Sequence, residues 1–488
     1  MPPSMFRRRD LVLFSLGAMA FYFTSNLLIQ RDLVLVDNRV SVEETVTKPQ
    51  VKFADTGVLV HTPGWTLFKN LYMSNGTLHI VTNEPSSKFP PLRHMISKSL
   101  WAYATPENIA AREPTPLEMD FVSLEEARAR WDGHISTIEG TTILNNDPSQ
   151  FLDHYYHFVG EYFFGLWAFL RGALAMNLIS PKKSTSNHVF NSHLPQLFDR
   201  FMYTNVASEE WRDGLGFNGA AFRGEHCGFT QRTAAEAWEY MVKTGALDRQ
   251  GRWWGDSRWV MLRYAGLMTN DEVFAEQLGE DHLVGTQVLL SGNPDSKQLR
   301  ASMNVTLPLP TQMRIVYIDR QNGRRRLVQK YHEELVRALE ELVLRKREEG
   351  KDWELDVIHA ERLSKDEQLN FVSQATVGHT FSARSLDSHL LDPLGVHGNG
   401  LTHLVWMKPT PVSAVIELFY PGGFAKDYKW TTRALGMRHF AVWNDTALTY
   451  PNQPQYADYS EGFQGNYIPV HGPTIAKVVE DRLEGRTP

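Results

Sequence analysis

The sequence predicts an α/β protein whose C-terminal half forms a parallel sheet covered by helices. After Pro308-Leu-Pro310, apolar runs alternate with amphipathic stretches in the order strand, helix, strand, helix, glycine-rich turn, helix and strand. Parallel strands need helical crossovers, so this alternation indicates a parallel α/β domain. A nearly charge-free run close to the N-terminus adds a single transmembrane helix to the predicted fold class.

The composition indicates a folded body with a large core. The chain has 488 residues, of which 42% are hydrophobic and 11% aromatic, enough for two domains. Its formal net charge of −6 argues against nucleic acid as a partner, because nucleic-acid binding needs a basic surface. Cys227 is the only cysteine, which excludes an intrachain disulfide and leaves a buried apolar role or an intermolecular link.

The N-terminus predicts a membrane anchor. Three arginines at 7–9 precede the charge-free stretch 11–30, which is long enough to cross about 30 Å of hydrocarbon as a helix. This charge distribution favours a cytoplasmic tail, 1–10, and a lumenal body. A cleaved signal peptide is the alternative, although no small-residue cleavage motif follows the run. Asn-X-Thr sequons, compatible with a lumenal body, begin at Asn75, Asn304 and Asn444.

The first half of the body is expected to be rich in strands. Residues 31–55 are polar and without periodicity, as in a stem. Apolar runs predict strands at 58–60, 67–72 and 78–81, and Asn75-Gly76 between the last two is a strong hairpin signal. A mixed α/β region continues from there, so we predict an N-terminal domain over 56–308.

The second half, 309–450, carries the parallel α/β pattern, and 451–488 is predicted to be a C-terminal tail. Strands are predicted at 314–318, 354–358, 374–377 and 412–418, and helices at 327–345 and 365–374. On the first helix one apolar face suits packing on a sheet; it comprises Val328, Tyr331, Leu335, Leu339 and Leu342.

The strongest functional signal is the glycine-rich segment Leu394-Gly-Val-His-Gly-Asn-Gly-Leu-Thr-His403. Three glycines in six positions let another group approach the backbone closely, and the residues after them begin a helix pattern. Such a turn presents free N–H groups that suit a phosphate. His397 would donate to a diphosphate oxygen or take a proton, and Glu417 on the following strand would bind a ribose. An ordinary strand–turn–helix connection is the alternative.

A second cluster is Asp153-His-Tyr-Tyr-His-Phe-Val-Gly-Glu161. If helical, it places His154, His157 and Glu161 on one face, where one group would deprotonate an acceptor hydroxyl and another would orient the base. His157 is the predicted base, with Glu161 or Asp153 as its partner, and His397 is the second candidate. A metal site and a solvated helix face are the alternatives. The spacing is not of the His-Glu-x-x-His type, so we expect no metal.

A third cluster, Asp319-Arg-Gln-Asn-Gly-Arg-Arg-Arg326, follows the strand at 314–318. Arginines at the end of a strand can bind phosphate through two parallel hydrogen bonds, since the guanidinium is planar and always charged. The alternatives are a solvated run of charges and an organelle-retention signal.

Together with Gly64-Trp-Thr-Leu-Phe-Lys-Asn70, these segments resemble glycosyltransferase family 61, in the right order between 56 and 445. This is the family of O-linked N-acetylglucosaminyltransferases and of plant xylan arabinosyl- and xylosyltransferases. The resemblance implies a GT-B-like fold, in which two Rossmann-type domains face a cleft, with 56–308 on the acceptor side and 309–450 binding the nucleotide sugar.

The resemblance also implies an activity: an inverting transfer of GlcNAc or a pentose from a UDP-sugar to a hydroxyl of a glycan or glycoprotein. No cofactor is obligatory, and the protein would be a type II membrane protein of the Golgi or endoplasmic reticulum. The catalytic face would be formed by His157, Glu161, His154 and Asp153. The UDP would be held by Arg320, Arg325, His397, Gly398, Asn399, Gly400, Leu401 and Thr402.

One departure from the family pattern is an insert at 378–393, between the predicted strand at 374–377 and the glycine turn. A polar insert that ends in proline would break the ladder of a central strand. The insert is either a surface loop or an error in the gene model. If it disables the donor site, the chain would be a membrane-tethered scaffold or pseudoenzyme. A lectin-like protein, which would bind sugar without nucleotide, is a further alternative.

Overall fold

The computed structural model describes residues 54–62, 64–103, 105–131, 135–175, 178–179, 200–203, 214–223, 252–269, 310–319, 321, 325–359, 362–375, 377–379, 399–463, 465 and 467–486. The predicted tail 1–10, transmembrane segment 11–30 and most of the stem 31–55 lie outside the described residues, as does Cys227.

The first sheet is mixed. Its strands are β1 Gly57–Thr62, β2 Trp65–Ser74, β3 Thr77–Val81, β4 Met119–Val122, β5 Ile135–Asn145, β6 Arg200–Tyr203 and β7 Gly214–Arg223. The order is β4-β3-β2-β7-β5-β6, with β1 also paired to β2. All pairs made by β2 are antiparallel, whereas β3/β4, β5/β6 and β5/β7 are parallel.

The predicted hairpin between β2 and β3 is present. Asn75 and Gly76 form its two-residue turn with φ angles of 48° and 75°. Two successive positive φ angles match the right-handed twist of the flanking strands, and asparagine and glycine tolerate them best. The local sequence therefore specifies this register.

The second sheet is parallel except at one edge. Its strands are β8 Met313–Asp319, β9 Trp353–His359, β10 Val377–His379, β11 Ala414–Phe419, β12 Arg438–Trp443 and β13 Thr446–Thr449. The order is β13-β12-β11-β10-β8-β9, and only β13 is antiparallel to its neighbour. The direction of winding reverses between β8 and β10, and sheets of this type bind ligands beyond the carboxyl ends of their strands near that point.

Helices connect and cover the strands. They are α1 Leu92–Met95, α2 Pro106–Ala111, α3 Leu124–Trp131, α4 Ser149–Leu152, α5 Phe164–Ala175, α6 Gly255–Tyr264, α7 Gln329–Glu348, α8 Lys365–Ser373, α9 Asp427–Ala434 and α10 Gly472–Leu483. A π-helix occupies Tyr156–Phe163, and 3-10 helices occupy Ser86–Lys88, Arg252–Trp254 and Asn399–Trp406.

Helix α7 follows the predicted pattern. Leu335, Leu339 and Leu342 are buried against the sheet, while the opposite face carries charged residues. The segment predicted as a C-terminal tail joins the same layer, because Ile475 and Val479 on α10 belong to the core that α7 covers. Helix α10 is therefore part of the core of the second sheet, whereas its segment is predicted to be a separate tail.

Gly472, the first residue of α10, lies close to the backbone of α7. A Cβ added there would lie 2.6 Å from the carbonyl oxygen of Glu334 and 2.9 Å from the Cα of Leu335, both in the backbone of α7. Backbone atoms cannot move aside as a flexible side chain can. The close packing of α7 and α10 therefore requires glycine at this position.

We predict that Gly472→Ala lowers the free energy of unfolding by about 1–3 kcal/mol or more, since overpacking forces backbone shifts. Urea unfolding would measure the change. Gly57→Ala is the matched control, because a Cβ at Gly57 has no atom within 4 Å. Equal stability of the two variants would contradict the close approach at Gly472.

The two sheets share one hydrophobic core. It takes Trp65 from β2 and Ile143 from β5, and it takes Val316 from β8 and Val415 from β11. Helix α5, the two tryptophans 253 and 254, and the 3-10 helix 399–406 fill the space between the sheets. Residues 52–488 accordingly form one compact unit.

The predicted fold class is wrong as stated. Two Rossmann-type domains facing a cleft would each need a parallel sheet with its own core, but the first sheet is built around the antiparallel strand β2 and shares its core with the second. The described residues form a mixed α/β unit. Among those residues, no helix combines the length and apolar character that crossing a membrane requires.

The insert at 378–393 begins differently from the prediction. Gly378 and His379 complete β10, which pairs with β8 on one side and β11 on the other. Gln374 caps α8 and does not begin the strand. The described part of the insert therefore extends the central strand and does not interrupt it, and residues 380–398 lie outside the described residues.

Candidate functional site

The π-helix Tyr156–Phe163 positions the first pair of the candidate site. His157 donates its Nδ1 hydrogen to Glu161 Oε2 across 2.7 Å. The Glu161 side chain is 2% exposed and that of His157 is 21% exposed. Wide helical turns of this kind are rare and are often found at functional sites. With Nδ1 committed to the carboxylate, Nε2 of His157 is the nitrogen that can accept a proton.

The other predicted members of this face differ in environment. The ring of His154 lies 4.5 Å from that of His157, centroid to centroid. Burial, followed by the neighbouring His157, lowers the pKa of His154 to about 3, so this ring is neutral at pH 7. Asp153 is exposed, and its carboxylate makes no contact with another described residue. Glu161, not Asp153, therefore orients His157.

Glu161 has a second oxygen without a hydrogen bond. Within the part of the chain that the structure describes, Oε1 is buried and has no hydrogen-bond partner. A buried acceptor without a partner costs about 1–3 kcal/mol, so native sites that contain one usually have a function for it. A hydroxyl of a bound substrate would satisfy this oxygen.

Helix α9 brings a second carboxylate to the pair. Asp427, the first residue of α9, is 7% exposed. Burial raises its pKa to about 7, and the charge of Glu161 adds to this, while His157 and Arg325 act in the opposite direction. The carboxyl of Asp427 therefore interacts electrostatically with Glu161, His157 and Arg325. A carboxyl that titrates near neutral pH suits proton transfer.

Arg325 and Glu417 complete the group. Arg325 is 8% exposed, and its guanidinium lies 5.6 Å from the ring centre of Phe463. Glu417 is fully buried in β11 and lies 2.8 Å from His439 Nε2. Burial first, then the charge of Asp427, raises the pKa of Glu417 well above its usual range. Arg325 remains charged beside these carboxyls. We call Glu161, His157, Asp427, Arg325 and Glu417 the acid–arginine cluster.

Glu417 and His439 form a buried hydrogen bond. Burial lowers the pKa of His439 to about 3, so this ring is neutral at pH 7, and burial raises the pKa of Glu417. Gln453 Nε2 lies 2.7 Å from His439 Nδ1, which leaves the Nε2 hydrogen of His439 to be donated to Glu417. The Glu417 carboxyl therefore makes its hydrogen bond to His439 inside the sheet. The structure places it two residues before the end of β11.

Three tyrosines border the cluster. Tyr156 and Tyr428 are buried with their rings 4.9 Å apart, and burial raises the pKa of both. The charges of Asp427, Glu417 and Glu161 also raise the pKa of Tyr459, after burial. All three phenols therefore stay protonated at neutral pH.

The predicted phosphate turn is partly described. The 3-10 helix begins at Asn399, whereas His397 and Gly398 lie outside the described residues. Leu401 packs in the shared core, and the Thr402 side chain is also buried. Of the predicted turn, the described part that a phosphate could contact is the backbone at 399–402.

A relay of hydrogen bonds fixes this 3-10 helix beside the π-helix. Trp406 donates its indole N–H to the Tyr155 oxygen at 2.8 Å, and the Tyr155 hydroxyl lies 3.2 Å from His403 Nδ1. Trp254 donates its indole N–H to the carbonyl of Val405 at 2.7 Å. The glycine-rich segment and the histidine face, far apart in the sequence, are thus held together by buried aromatic residues.

Another polar group lies where the winding of the parallel sheet reverses. Asp319 at the end of β8 lies 2.9 Å from His359 Nδ1, at the end of β9. It also accepts the backbone N–H of Gln321 at 2.8 Å, which shapes the turn after the strand. Arg320, the predicted phosphate ligand in this turn, lies outside the described residues. Among the residues that are described, no group of three or more His, Cys, Asp or Glu side chains could hold a metal ion.

Sequence reasoning missed Asp427 and the burial of Arg325. The position of Asp427 in the sequence is the signal that could have identified it. Asp427 begins the amphipathic helix that follows a buried strand of a parallel sheet, and ligands bind at the edge of the sheet where such strands end. Its elevated pKa results first from burial and then from the charge of Glu161, more than 260 positions earlier in the chain, and no local pattern predicts either.

The elevated pKa of Asp427 predicts a pH-dependent stability. The unfolded chain releases this proton near pH 4 and the folded chain near pH 7, so the folded state binds more protons between these values. The stability that the neutral carboxyl contributes is therefore present below pH 4 and is lost as the pH rises to 7. Over this window the loss is on the order of 4 kcal/mol for a shift of about three pKa units.

Asp427→Asn removes this loss, so its stability relative to wild type should rise between pH 5 and pH 8 in urea unfolding. Asp366→Asn is the matched control, because Asp366 also lies in the first turn of a helix but is exposed. A stability difference between Asp427→Asn and wild type that is the same at both pH values would contradict the elevated pKa.

Comparison of the chain with models of known protein families finds no match, and comparison with curated proteins finds none either.

Proposed function

We propose that the protein is an inverting glycosyltransferase that moves a sugar from a UDP-sugar to a hydroxyl group. The observation that carries this proposal is the acid–arginine cluster. One oxygen of Glu161 orients His157, and the other is buried without a hydrogen-bond partner among the described residues, while the charges of Glu161 and Arg325 both act on Asp427. A site of this kind provides a base, an acceptor for a substrate hydroxyl and a permanent positive charge.

His157 is the proposed base. The acceptor hydroxyl transfers its proton to His157 Nε2 while its oxygen forms a bond to the anomeric carbon. The bond from that carbon to the UDP oxygen breaks, and its electron pair leaves with the UDP. Glu161 holds the imidazole in the required tautomer and stabilises the imidazolium that forms. His154 stays neutral beside it and adds no opposing charge.

Asp427 would adjust the charge of the site. When protonated, it removes one negative charge from the surroundings of Arg325, which favours an anionic ligand. When ionised, it favours protonation of His157. Its pKa of about 7 allows both states at physiological pH.

Negative charge on the departing UDP would be stabilised by Arg325 and by the backbone N–H groups at the start of the 3-10 helix Asn399–Trp406. Both follow strands of the parallel sheet, at the edge where such sheets bind ligands. Arg320, His397 and Gly398 remain proposed ligands of the diphosphate from the sequence pattern. The chemistry of the donor sugar, GlcNAc or a pentose, and the lumenal location stay predictions.

Calorimetric titration of the full chain with UDP, with and without EDTA, tests the proposal. We expect a dissociation constant in the micromolar range that EDTA does not change, and weaker binding by Arg325→Ala. Absence of UDP binding by a folded chain would contradict the transferase and favour the scaffold. Loss of binding in EDTA would contradict the metal-independent mechanism.

A further inference from the structure

The segment that follows β13 presents several large aromatic rings to solvent. Tyr456 is 78% exposed and Tyr459 is 58% exposed. Exposed aromatic rings of this size, grouped together, commonly mark a surface that contacts a ligand or partner. The question is what these rings would contact.

The rings are held in place next to α9. Phe424 and Asp458 exchange two backbone hydrogen bonds of 2.8 Å, which fix the tyrosine segment beside the start of the helix. The Lys426 ammonium lies 5.6 Å from the ring centre of Tyr456 and 5.3 Å from that of Trp430. A cation between two rings restrains both of them. The exposed surface is therefore ordered before any ligand binds.

The same surface continues into the acid–arginine cluster. Tyr459 packs edge-on against Phe463 with ring centres 5.0 Å apart, and Phe463 lies under Arg325. The charges of Asp427, Glu417 and Glu161 act on the Tyr459 hydroxyl. Tyr459 is thus largely exposed, while its ring is connected to Arg325 of the cluster through the ring of Phe463. Lys426 immediately precedes Asp427 in the chain.

We propose that Tyr456, Tyr459 and Lys426 form a binding subsite for the carbohydrate chain of the acceptor. A sugar ring has an apolar face of C–H groups that stacks on an aromatic ring, and hydroxyl groups at its rim that bond to phenol and ammonium groups. The tyrosines offer flat faces together with polar tips, and they lead towards the proposed base. This inference rests on the proposed function and specifies its acceptor class: a glycan, not an unmodified peptide.

A carbohydrate fits this surface better than a second protein chain. The rings are interspersed with Lys426 and Asp458, whereas the centre of a protein interface is depleted in charged residues. Continuity with the cluster also means that the occupant would be presented to His157, which suits an acceptor substrate.

The test measures binding of xylohexaose and chitohexaose to the full chain by calorimetry, with UDP titrated separately. We expect one of the two oligosaccharides to bind and Tyr456→Ala/Tyr459→Ala to bind it about tenfold more weakly or worse, as expected for the loss of about 1.4 kcal/mol of ring stacking. Tyr456→Phe/Tyr459→Phe should retain most of the affinity because it keeps the rings. Tyr264→Ala, which removes an 85% exposed tyrosine on α6, is the control for a general effect of losing a surface ring.

The measurements distinguish a failure of the proposed glycan subsite from a failure of the proposed transferase activity. Wild-type protein that binds UDP but neither oligosaccharide would overturn the glycan subsite and leave the transferase standing. Unchanged oligosaccharide affinity in the double alanine variant would also overturn it. A concentration-dependent dimer that the double alanine variant abolishes would assign the surface to a second copy of the chain instead. Absence of UDP binding with intact oligosaccharide binding would contradict the transferase but keep the glycan surface.

Discussion

Glu161→Gln is expected to reduce sugar transfer by about 10²–10⁴-fold, the usual contribution of general acid–base catalysis. The amide keeps the size of the side chain but removes the charge that orients His157 and stabilises the imidazolium. It also removes one of the charges that raise the pKa of Asp427. UDP affinity should change much less than the rate, because Glu161 contacts the proposed base. The measurement is UDP release from the active UDP-sugar in the presence of acceptor, with UDP affinity determined in parallel.

Glu333→Gln is the matched control for this variant. Glu333 is exposed on α7 and accepts a hydrogen bond from Gln329 four residues earlier, as Glu161 does from His157. It should transfer sugar at the wild-type rate. If Glu161→Gln also kept that rate while it bound UDP and folded normally, the assignment of His157 and Glu161 as the catalytic pair would be wrong.

Trp254→Ala is expected to lower the free energy of unfolding by about 3–5 kcal/mol, as is usual for a large ring deleted from a core. The ring is 1% exposed, its centre lies 4.7 Å from that of Phe164, and it packs against Trp406 at 5.7 Å. The substitution also leaves the Val405 carbonyl without its donor. Urea unfolding would measure the loss. UDP affinity should fall as well, because Trp254 holds the 3-10 helix in place.

Trp101→Ala serves as the matched control. Trp101 is 39% exposed, and the hydrogen bond it accepts from Asn108 uses its backbone oxygen, which alanine retains. Its free energy of unfolding should change by less than about 1 kcal/mol. Similar losses for the two variants would show that the ring of Trp254 does not occupy the shared core.

The elements of the second sheet could be predicted because their signals are local. The apolar face of α7 and the strands β8, β9 and β11 each follow from hydrophobic periodicity within a short window. The Asn75-Gly76 hairpin is also a local signal. The end of β11 is less closely specified: the strand continues to Phe419, so Glu417 lies within it and contacts His439.

The first sheet could not be predicted, because its pairing depends on contacts between distant segments. β2 pairs with β7, about 150 positions later, and both edges of β2 are antiparallel. Nothing in the local pattern of either strand specifies this partner or its direction. The shared core also depends on distant contacts. Tryptophans 253 and 254 belong to it, and they lie in the sequence after the last strand of the first sheet and before the first strand of the second.

The candidate site was predicted in part. The pattern Asp153–Glu161 identified the His157 and Glu161 pair, because i and i+4 positions meet on a helix face, and in the π-helix they still meet. The role of Asp427 and the burial of Arg325 could not be predicted, because they depend on how α9 packs against the π-helix. Electrostatic environment is a property of the assembled fold, so the pKa of Asp427 has no counterpart in the sequence.

The most direct test of the central claim is UDP release by the full chain from UDP-GlcNAc, UDP-xylose and UDP-arabinose in EDTA, with glycan acceptors present and with Glu161→Gln in parallel. We predict that one UDP-sugar releases UDP without added metal, and that Glu161→Gln loses nearly all of this activity. No release from any UDP-sugar by folded protein, or release that Glu161→Gln leaves unchanged, would contradict a glycosyltransferase site in the acid–arginine cluster.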